Sequence, residues 1–350
     1  MKMAILFAFA SAALFGLSTP AAKILLSSVH PAMLAGLFYC GAGLGVAALR
    51  LLRAGRAGTR EIALGRRDVP WLVGAVLSGG VGGPLLLMIG LARTEAATAS
   101  LLLTFEGAAT ALIAWLFFRE SYGPRLVLGM ACLVSGAAAL AWSGPPTLDA
   151  MSGPLAIIGA CFAWALDNNF TRKISLADPL QIVKIKGLVA GPVNLALGFR
   201  AGGALPPLPT SLLAASVGFV GYGLSLILFV LALRELGAAR TSAYFATAPF
   251  MGALGAVVAL GDPVTVQLAG AGVLMAAGVW LHLTERHAHE HVHAALAHSH
   301  PHLHDAHHRH EHAHQPSEAP GATHTHPHDH EPLTHAHPHT PDTHHDHGHA

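Results

Sequence analysis

The stretch AATASLLLTFEGAATALIAWLFFRE, at residues 96–120, resembles AARTSAYFATAPFMGALGAVVALGD, at residues 238–262. Each is apolar over about the 20 residues that a helix needs to cross a bilayer. Each also ends on an acid, Glu120 in the first and Asp262 in the second. The sequence therefore predicts two copies of one helical membrane unit.

The repeat extends beyond these two stretches and sets the architecture. Residues 91–140 align with residues 233–282, and Lys23-Ile24 aligns with Lys173-Ile174. Five spans in each copy is an odd number, so the second copy must enter the bilayer upside down. We predict an all-α polytopic membrane protein with ten transmembrane helices in two inverted five-helix repeats, residues 1–142 and 143–283. The spans are expected near residues 3–27, 31–49, 70–92, 96–118, 125–142, 153–169, 179–199, 209–233, 239–260 and 264–283.

The composition supports a membrane body and excludes other classes of protein. Hydrophobic residues make up 53% of the chain and charged residues 11%, whereas soluble domains carry about a quarter charged residues. No Gly-rich phosphate loop, His-Glu-x-x-His or Gly-x-Ser-x-Gly motif is present. We therefore expect no enzyme, no required cofactor and no nucleic-acid partner, and the lipid bilayer is the main partner.

Lysine and arginine are distributed unequally between the two ends of the predicted spans. Cytoplasmic loops carry an excess of these residues. With the N-terminus inside, the cytoplasmic side collects Lys2, Arg50, Arg53, Arg56, Arg60, Arg66, Arg67, Arg119, Arg125, Arg172, Lys173, Arg234, Arg240, Arg286 and Arg309, against only Lys23, Arg93 and Arg200 outside. We predict a bacterial-type inner-membrane protein whose N- and C-termini are both cytoplasmic.

Several of these features resemble one transporter family. The first helix of each half has a Gly or Trp, then polar residues and a Lys, as in FGLSTPAAK at residues 15–23 and AWALDNN at residues 163–169 with Lys173. Glu120 and Asp262 close the fourth helices. This pattern, over residues 3–283, is similar to the drug/metabolite transporter superfamily, EamA-like branch, which implies a secondary transporter with two five-helix repeats. The family's fourth-helix Pro is present as Pro249, but the first half has Glu106-Gly107 instead.

Ionisable residues inside apolar spans are the first candidates for a transport site. Glu106 lies between Leu101 and Phe118 in an apolar run, which suits a proton carrier or a ligand for a cation. A carboxylate capped by a nearby Lys or by backbone groups is the structural alternative. Lys184 and Lys186 lie on different faces of the seventh span, so one is expected to reach the interface while the other points inward.

Polar residues interrupt the first and sixth spans at corresponding positions. Ser18 and Thr19 precede Pro20 in the first, and Asp167-Asn168-Asn169 stand in the second. Paired breaks in equivalent helices are typical of a transporter site, because unwound backbone offers carbonyls and helix ends to a solute. The alternative is that Asp167 and the asparagines cap a helix at the cytoplasmic interface.

The last part of the chain, residues 284–350, has a different composition. Of the 26 histidines, 25 lie at or after His282, and almost no large apolar residue follows Leu303. We expect this tail to be disordered without a ligand. Alternating imidazoles can bind Zn²⁺, Ni²⁺, Co²⁺ or Cu²⁺. The candidate ligands are His287, His289, His291, His293, His298, His300, His302, His324, His326, His328, His335, His337 and His339. A merely solvated or pH-sensing tail is the alternative.

Three functions fit this pattern. The first is a secondary transporter that exports a small metabolite or amino-acid-like solute, with the tail as metal sensor or buffer. The second is a transporter of a transition metal or its chelate, to which the tail delivers the ion. The third is a membrane-anchored metal store. An anchor needs only one span, which disfavours the third, and the spans contain no His except His30, which disfavours direct metal transport.

The predicted topology can be tested with a reporter that is active only in the periplasm. It should be silent when fused after Arg60 or Leu303 and active when fused after Pro145. Activity at Leu303 would mean an odd number of spans and would contradict the inverted repeat.

Overall fold

A computed structural model describes residues 2–53, 64–118, 124–142, 148–174, 178–236, 241, 244–284, 287–293, 296–302, 324–330 and 333–339. Up to residue 284 these residues are helical apart from short connections. The helices are α1 (Lys2–Leu25), α2 (Pro31–Arg53), α3 (Val69–Ala75), α4 (Gly83–Ala92), α5 (Ala96–Leu102), α6 (Phe105–Phe118), α7 (Pro124–Ala141), α8 (Leu148–Lys173), α9 (Pro179–Arg200), α10 (Leu208–Gly218), α11 (Ser225–Leu236), α12 (Ala248–Leu260) and α13 (Val266–Leu283).

The helices of the described chain have the length and composition of a multi-pass membrane protein. Six stretches are long and apolar enough to cross a bilayer, namely Met3–Leu25, Pro31–Leu52, Arg66–Ala92, Ala96–Ile113, Leu180–Arg200 and Leu208–Ala232. Three further apolar helices are shorter, at Val127–Ala141, Ala248–Leu260 and Val266–Leu281. The predicted sixth span falls within α8, which is 26 residues long.

Two of the long helices contain a π-helical segment near their middle. The first π segment (Val76–Gly82) joins α3 to α4, and the second π segment (Phe219–Leu224) joins α10 to α11. Both are rich in glycine, which adopts irregular backbone easily and lets a neighbouring helix come close. A Cβ on Gly218, at the edge of the second segment, would overlap the backbone of Phe38.

The breaks predicted in the first and sixth spans are absent, and breaks occur in the fourth and ninth spans instead. α1 and α8 are continuous, and α1 contains Pro20. Turns interrupt the helix at Leu103-Thr104 and at Ala246-Thr247. At each break a threonine hydroxyl donates to the carbonyl three residues earlier, Thr104 to Leu101 at 2.7 Å and Thr247 to Tyr244 at 2.6 Å. Such local bonds compete with the helical ladder. The second break also lies just before Pro249, which has no N–H to donate to the ladder.

Close helix pairs hold the body together. α2 packs along α9, α7 along α13, α1 along α12 and α6 along α8. Gly43 of α2 faces Gly187 of α9 so closely that a Cβ on either would overlap the other backbone. Small residues of this kind allow the close contact that drives helix association in a bilayer. The largest fully buried side chains include Phe38, Met33 and Met88.

The described residues of the tail include four strands, and the disorder predicted for the tail without a ligand stays a prediction. Strands β1 (His287–His293) and β4 (Leu333–His339) pair antiparallel, as do β2 (Leu296–His302) and β3 (His324–His330). Alternation of histidine with other residues has a period of two, which is the period of a β-strand.

Candidate substrate and coupling site

An ion pair lies inside the helical body. Lys186 of α9 donates to Asp167 Oδ2 of α8 at 2.5 Å, and Thr171 donates to Asp167 Oδ1 at 3.0 Å. Asp167 is 6% exposed. Its carboxylate lies against Gly79, in the first π segment, where a Cβ would overlap it. Asp167 therefore does not cap α8 at the interface, because its main partner is on another helix and α8 continues to Lys173.

The first π segment is held from three directions. The Gly79 carbonyl accepts hydrogen bonds from the Tyr39 hydroxyl of α2 at 2.7 Å and from Trp164 Nε1 of α8 at 3.0 Å. The neighbouring Gly80 carbonyl accepts from Asn194 Nδ2 of α9 at 3.0 Å. Each donor satisfies a carbonyl that would be costly to leave unpaired in the bilayer. The three helices therefore fix the backbone against which Asp167 lies.

Glu106 stands beside this ion pair without a cation of its own. It lies in the first turn of α6, just after the break in the fourth span, where the positive end of a helix dipole favours a carboxylate. Asn168 Nδ2 donates to Glu106 Oε1 at 2.8 Å and to Thr110 Oγ1 at 3.3 Å. Among the residues that the structure describes, no Lys, Arg or His pairs with Glu106. A neutral amide holds this acid, and Lys186, the cation near it, is paired with Asp167 instead.

The other two candidate residues on α8 and α9, Asn169 and Lys184, have separate roles. Asn169 Nδ2 donates to the Ala165 carbonyl at 2.8 Å and to the Thr110 carbonyl at 3.4 Å, so it ties α8 to α6. Lys184 is half-buried and forms no hydrogen bond or ion pair with any described residue. Lys186, and not Lys184, is thus the inward-facing lysine of the pair.

Ser18 and Thr19 are buried on α1 against the other half of the body. Ser18 donates to the Phe15 carbonyl at 2.6 Å, and a Cβ on Gly221 would overlap the Ser18 side chain. Ser18 therefore meets the second π segment much as Asp167 meets the first. Aromatic rings connect the two groups, since Tyr222 lies 5.6 Å from Phe15 and 5.7 Å from Tyr39 between ring centroids.

Two further polar contacts join helices of the body. Lys23 Nζ donates to the carbonyls of Leu91 and Thr94, both at 2.7 Å, and so caps the end of α4. Asp262 accepts from the backbone N–H of Ala97 at 2.7 Å and so caps α5 of the other half. Its predicted counterpart Glu120 lies outside the described residues.

The structure brings Glu106, Asp167, Asn168 and Lys186 together and leaves Ser18 and Thr19 on the opposite π segment. Sequence reasoning missed Tyr39, Trp164, Asn194 and the role of Gly79. Asn194 could have been found, because an amide in an apolar span needs a partner.

Among the side chains that the structure describes, no group of three or more His, Cys, Asp or Glu could hold a metal ion.

Comparisons with known proteins agree with this description. An uncharacterized transporter of Methanothermobacter thermautotrophicus (strain Delta H) is 31% identical over 284 residues, which cover 76% of this chain and 82% of that protein. A solved crystal structure covers 80% of this chain and 95% of its own, with a TM-score of 0.59 at 19% identity, and so shares the fold.

Apolar helices around a buried ion pair and an adjacent carboxylate are typical of a multi-pass membrane protein with a polar site inside its body. The model of the EamA-like transporter family matches residues 2–142 and again residues 151–284. The chain therefore belongs to the EamA-like transporter family and is a membrane transporter, as the resemblance in the sequence implied.

Gly79 is the position at which a single methyl group tests this geometry. Gly79→Ala should push the Asp167 carboxylate away from the first π segment and lower the free energy of unfolding by about 1–3 kcal/mol, the usual cost of overpacking. Thermal unfolding in detergent measures the change. Gly270→Ala is the matched control, because a Cβ there meets nothing within 4 Å. Equal stability of the two variants would contradict the placement of Asp167.

Proposed function

We propose that this chain is a secondary transporter that exports a small metabolite or amino-acid-like solute across a bacterial-type inner membrane. The observation that carries the proposal is Glu106, an acid at a break in the fourth span whose described partner is the neutral amide of Asn168. Asp167 is already neutralised by Lys186. One negative charge thus stays available to a proton or to the ammonium group of a solute, because a buried charge favours a counter-charge.

The proposed architecture is two inverted five-helix repeats of ten spans, residues 1–142 and 143–283, with both termini cytoplasmic. Several pairs of features support it: the two matches of the family model, the two π segments, and the two threonine-bonded breaks. Packing of α1 on α12 parallels packing of α8 on α6. In such a body one repeat rocks against the other around a site near the midplane.

The Asp167–Lys186 ion pair and Glu106 have different roles in this mechanism. The Asp167–Lys186 pair keeps α8 and α9 together against the first π segment and binds no solute in this state. Glu106 binds the solute ammonium group or a proton, and Asn168 orients the carboxylate for it. Release of one cation and binding of the other at Glu106 would then couple solute movement to proton movement.

A growth screen identifies the solute. Cells with and without the gene are compared for growth inhibition by a panel of amino acids, amines and transition metals, and export predicts protection against members of the amino-acid or amine group. Protection against metals alone would favour the alternative in which a transition metal or its chelate is the cargo.

Glu106→Gln should abolish proton movement driven by the protective compound in everted vesicles, because the amide keeps the shape of the acid and removes its charge. A pH-sensitive dye reports the loss. Glu106→Asp should retain part of the activity. Glu95→Gln, which changes an exposed acid at the start of α5, should transport normally. Full activity of Glu106→Gln would give Glu106 a structural role and shift the coupling role to Asp167.

The proposed role of the tail is to bind Zn²⁺, Ni²⁺, Co²⁺ or Cu²⁺ as a cytosolic sensor or buffer. Its support is the density of imidazoles at alternating positions. Ligation needs neutral imidazole, whose unperturbed pKa is about 6.5, so protonation competes with the metal as the pH falls below that value.

Zinc uptake by the full chain should therefore be high near neutral pH and mostly lost near pH 5.5, with Ca²⁺ and Mg²⁺ ignored at both because they prefer oxygen ligands. Equilibrium dialysis measures the uptake. A chain ending at Glu285 should take up no zinc and should still transport the protective compound, but without a response to cytosolic metal. Loss of all transport on truncation would favour the metal-cargo alternative.

A further inference from the structure

Glu106 and Tyr222 border an open space inside the helical body. Both lie deep among the helices, and yet each side chain keeps part of its surface accessible. The charge of Glu106 acts on the Tyr222 hydroxyl, so the two groups are near each other. Asn168, which holds Glu106, lies one turn after the buried Trp164 on the same face of α8, but Asn168 is exposed. The space therefore reaches the surface beside Asn168.

Aromatic rings border this space next to Tyr222. The ring centroid of Phe15 is 5.6 Å from that of Tyr222 and 5.5 Å from that of Phe245, and all three rings are partly accessible. In the alignment of the two halves, Glu106 corresponds to Ala248, which is buried and apolar. The position that carries an acid in the first half is therefore apolar in the second, with Phe245 a few residues before it. One part of the space is charged and another part is aromatic.

The three described charged groups beside this space, Glu106, Asp167 and Lys186, carry one net negative charge when they are ionised. Lys186 neutralises Asp167, so a monovalent cation at Glu106 would neutralise the whole group. An ammonium ion can also lie against the face of an aromatic ring. We propose that this space binds a monovalent organic amine that has an apolar or aromatic body and no carboxylate. The proposal rests on the transport role proposed for Glu106 and narrows its solute from amino-acid-like compounds to amines.

A carboxylate on the solute is unfavourable in this space. In an α-amino acid the carboxylate and the ammonium group are bonded to the same carbon, so the carboxylate would lie beside Glu106, and like charges placed together repel. Of the described donors nearby, Lys186 is paired with an acid, and the hydroxyls of Tyr39 and Tyr222 are already hydrogen-bonded. The carboxylate would therefore lose water without gaining a partner.

Three probes that share a phenyl ring and an ammonium group test this exclusion. They are phenethylamine, L-phenylalaninol, which adds an uncharged hydroxymethyl group, and L-phenylalanine, which adds a carboxylate at the same carbon. Isothermal titration calorimetry of the full chain in detergent, near neutral pH, gives the Kd of each probe. Phenethylamine and L-phenylalaninol should bind with similar affinity. L-phenylalanine should bind at least about tenfold more weakly, because its carboxylate adds a like charge beside Glu106.

Phe15→Leu tests the aromatic part of the space, and Phe9→Leu is its matched control. Phe9 lies on the same helix, packs on Tyr244 and is 38% exposed. Phe15→Leu should weaken phenethylamine binding about two- to tenfold, the usual worth of one aromatic contact. Phe9→Leu should bind phenethylamine as the wild-type chain does. Thermal unfolding shows whether both variants fold, and the comparison of the three probes on the wild-type chain does not depend on either variant.

Glu106→Gln should weaken phenethylamine binding at least about tenfold and should reduce the difference between phenethylamine and L-phenylalanine, because the charge that attracts one and repels the other is gone. Unchanged phenethylamine binding by this variant would place the amine elsewhere and overturn the site.

Equal or tighter binding of L-phenylalanine to the wild-type chain would overturn the amine class while leaving a transporter of an amino-acid-like solute. Absence of phenethylamine binding to the wild-type chain would overturn the inference outright. The proposed function itself is tested by the growth screen and by proton movement in the vesicles, so its failure would appear in those measurements.

Discussion

The ion pair of Asp167 and Lys186 is the constraint around which the membrane body is arranged. Removing a charge from water costs several kcal/mol even after relaxation, and an acid left unpaired among apolar helices would bear that cost alone. The pair brings α8 and α9 together at the level of the first π segment. The close contacts around the first π segment follow from the need to bring these two charged side chains together inside an apolar body.

Gly79 allows the Asp167 carboxylate to reach Lys186 beside the first π segment, because glycine has no side chain there. The Asp167 carboxylate occupies the space that a side chain at Gly79 would fill, and Tyr39 and Trp164 donate to the carbonyl of the same residue. The second π segment makes a similar contact with an uncharged group, since Ser18 meets Gly221 there. The two π segments therefore make similar close contacts that differ in charge. That difference places the acids beside one π segment and gives the site its polarity.

The sequence predicts much of this arrangement, because charge in an apolar span is costly and therefore visible. Glu106, Asp167, Asn168 and Lys186 stand out for that reason. Tyr39, Trp164 and Gly79 do not, since aromatic residues and glycines in a span usually serve packing alone. The breaks were predicted in the wrong spans because polar residues in an apolar run were taken to unwind the helix. Ser18 instead bonds within the continuous α1, and Asp167 bonds to Lys186 from the continuous α8.

The dependence of the body on the Asp167–Lys186 pair is tested most directly by a double-mutant cycle on the free energy of unfolding in mixed micelles. Asp167→Asn and Lys186→Met should each cost about 3–5 kcal/mol, because each leaves one buried group without its partner. The double variant should recover most of that loss, since it leaves no unpaired charge. Additive losses, or single losses below about 1 kcal/mol as for an exposed pair, would contradict the account.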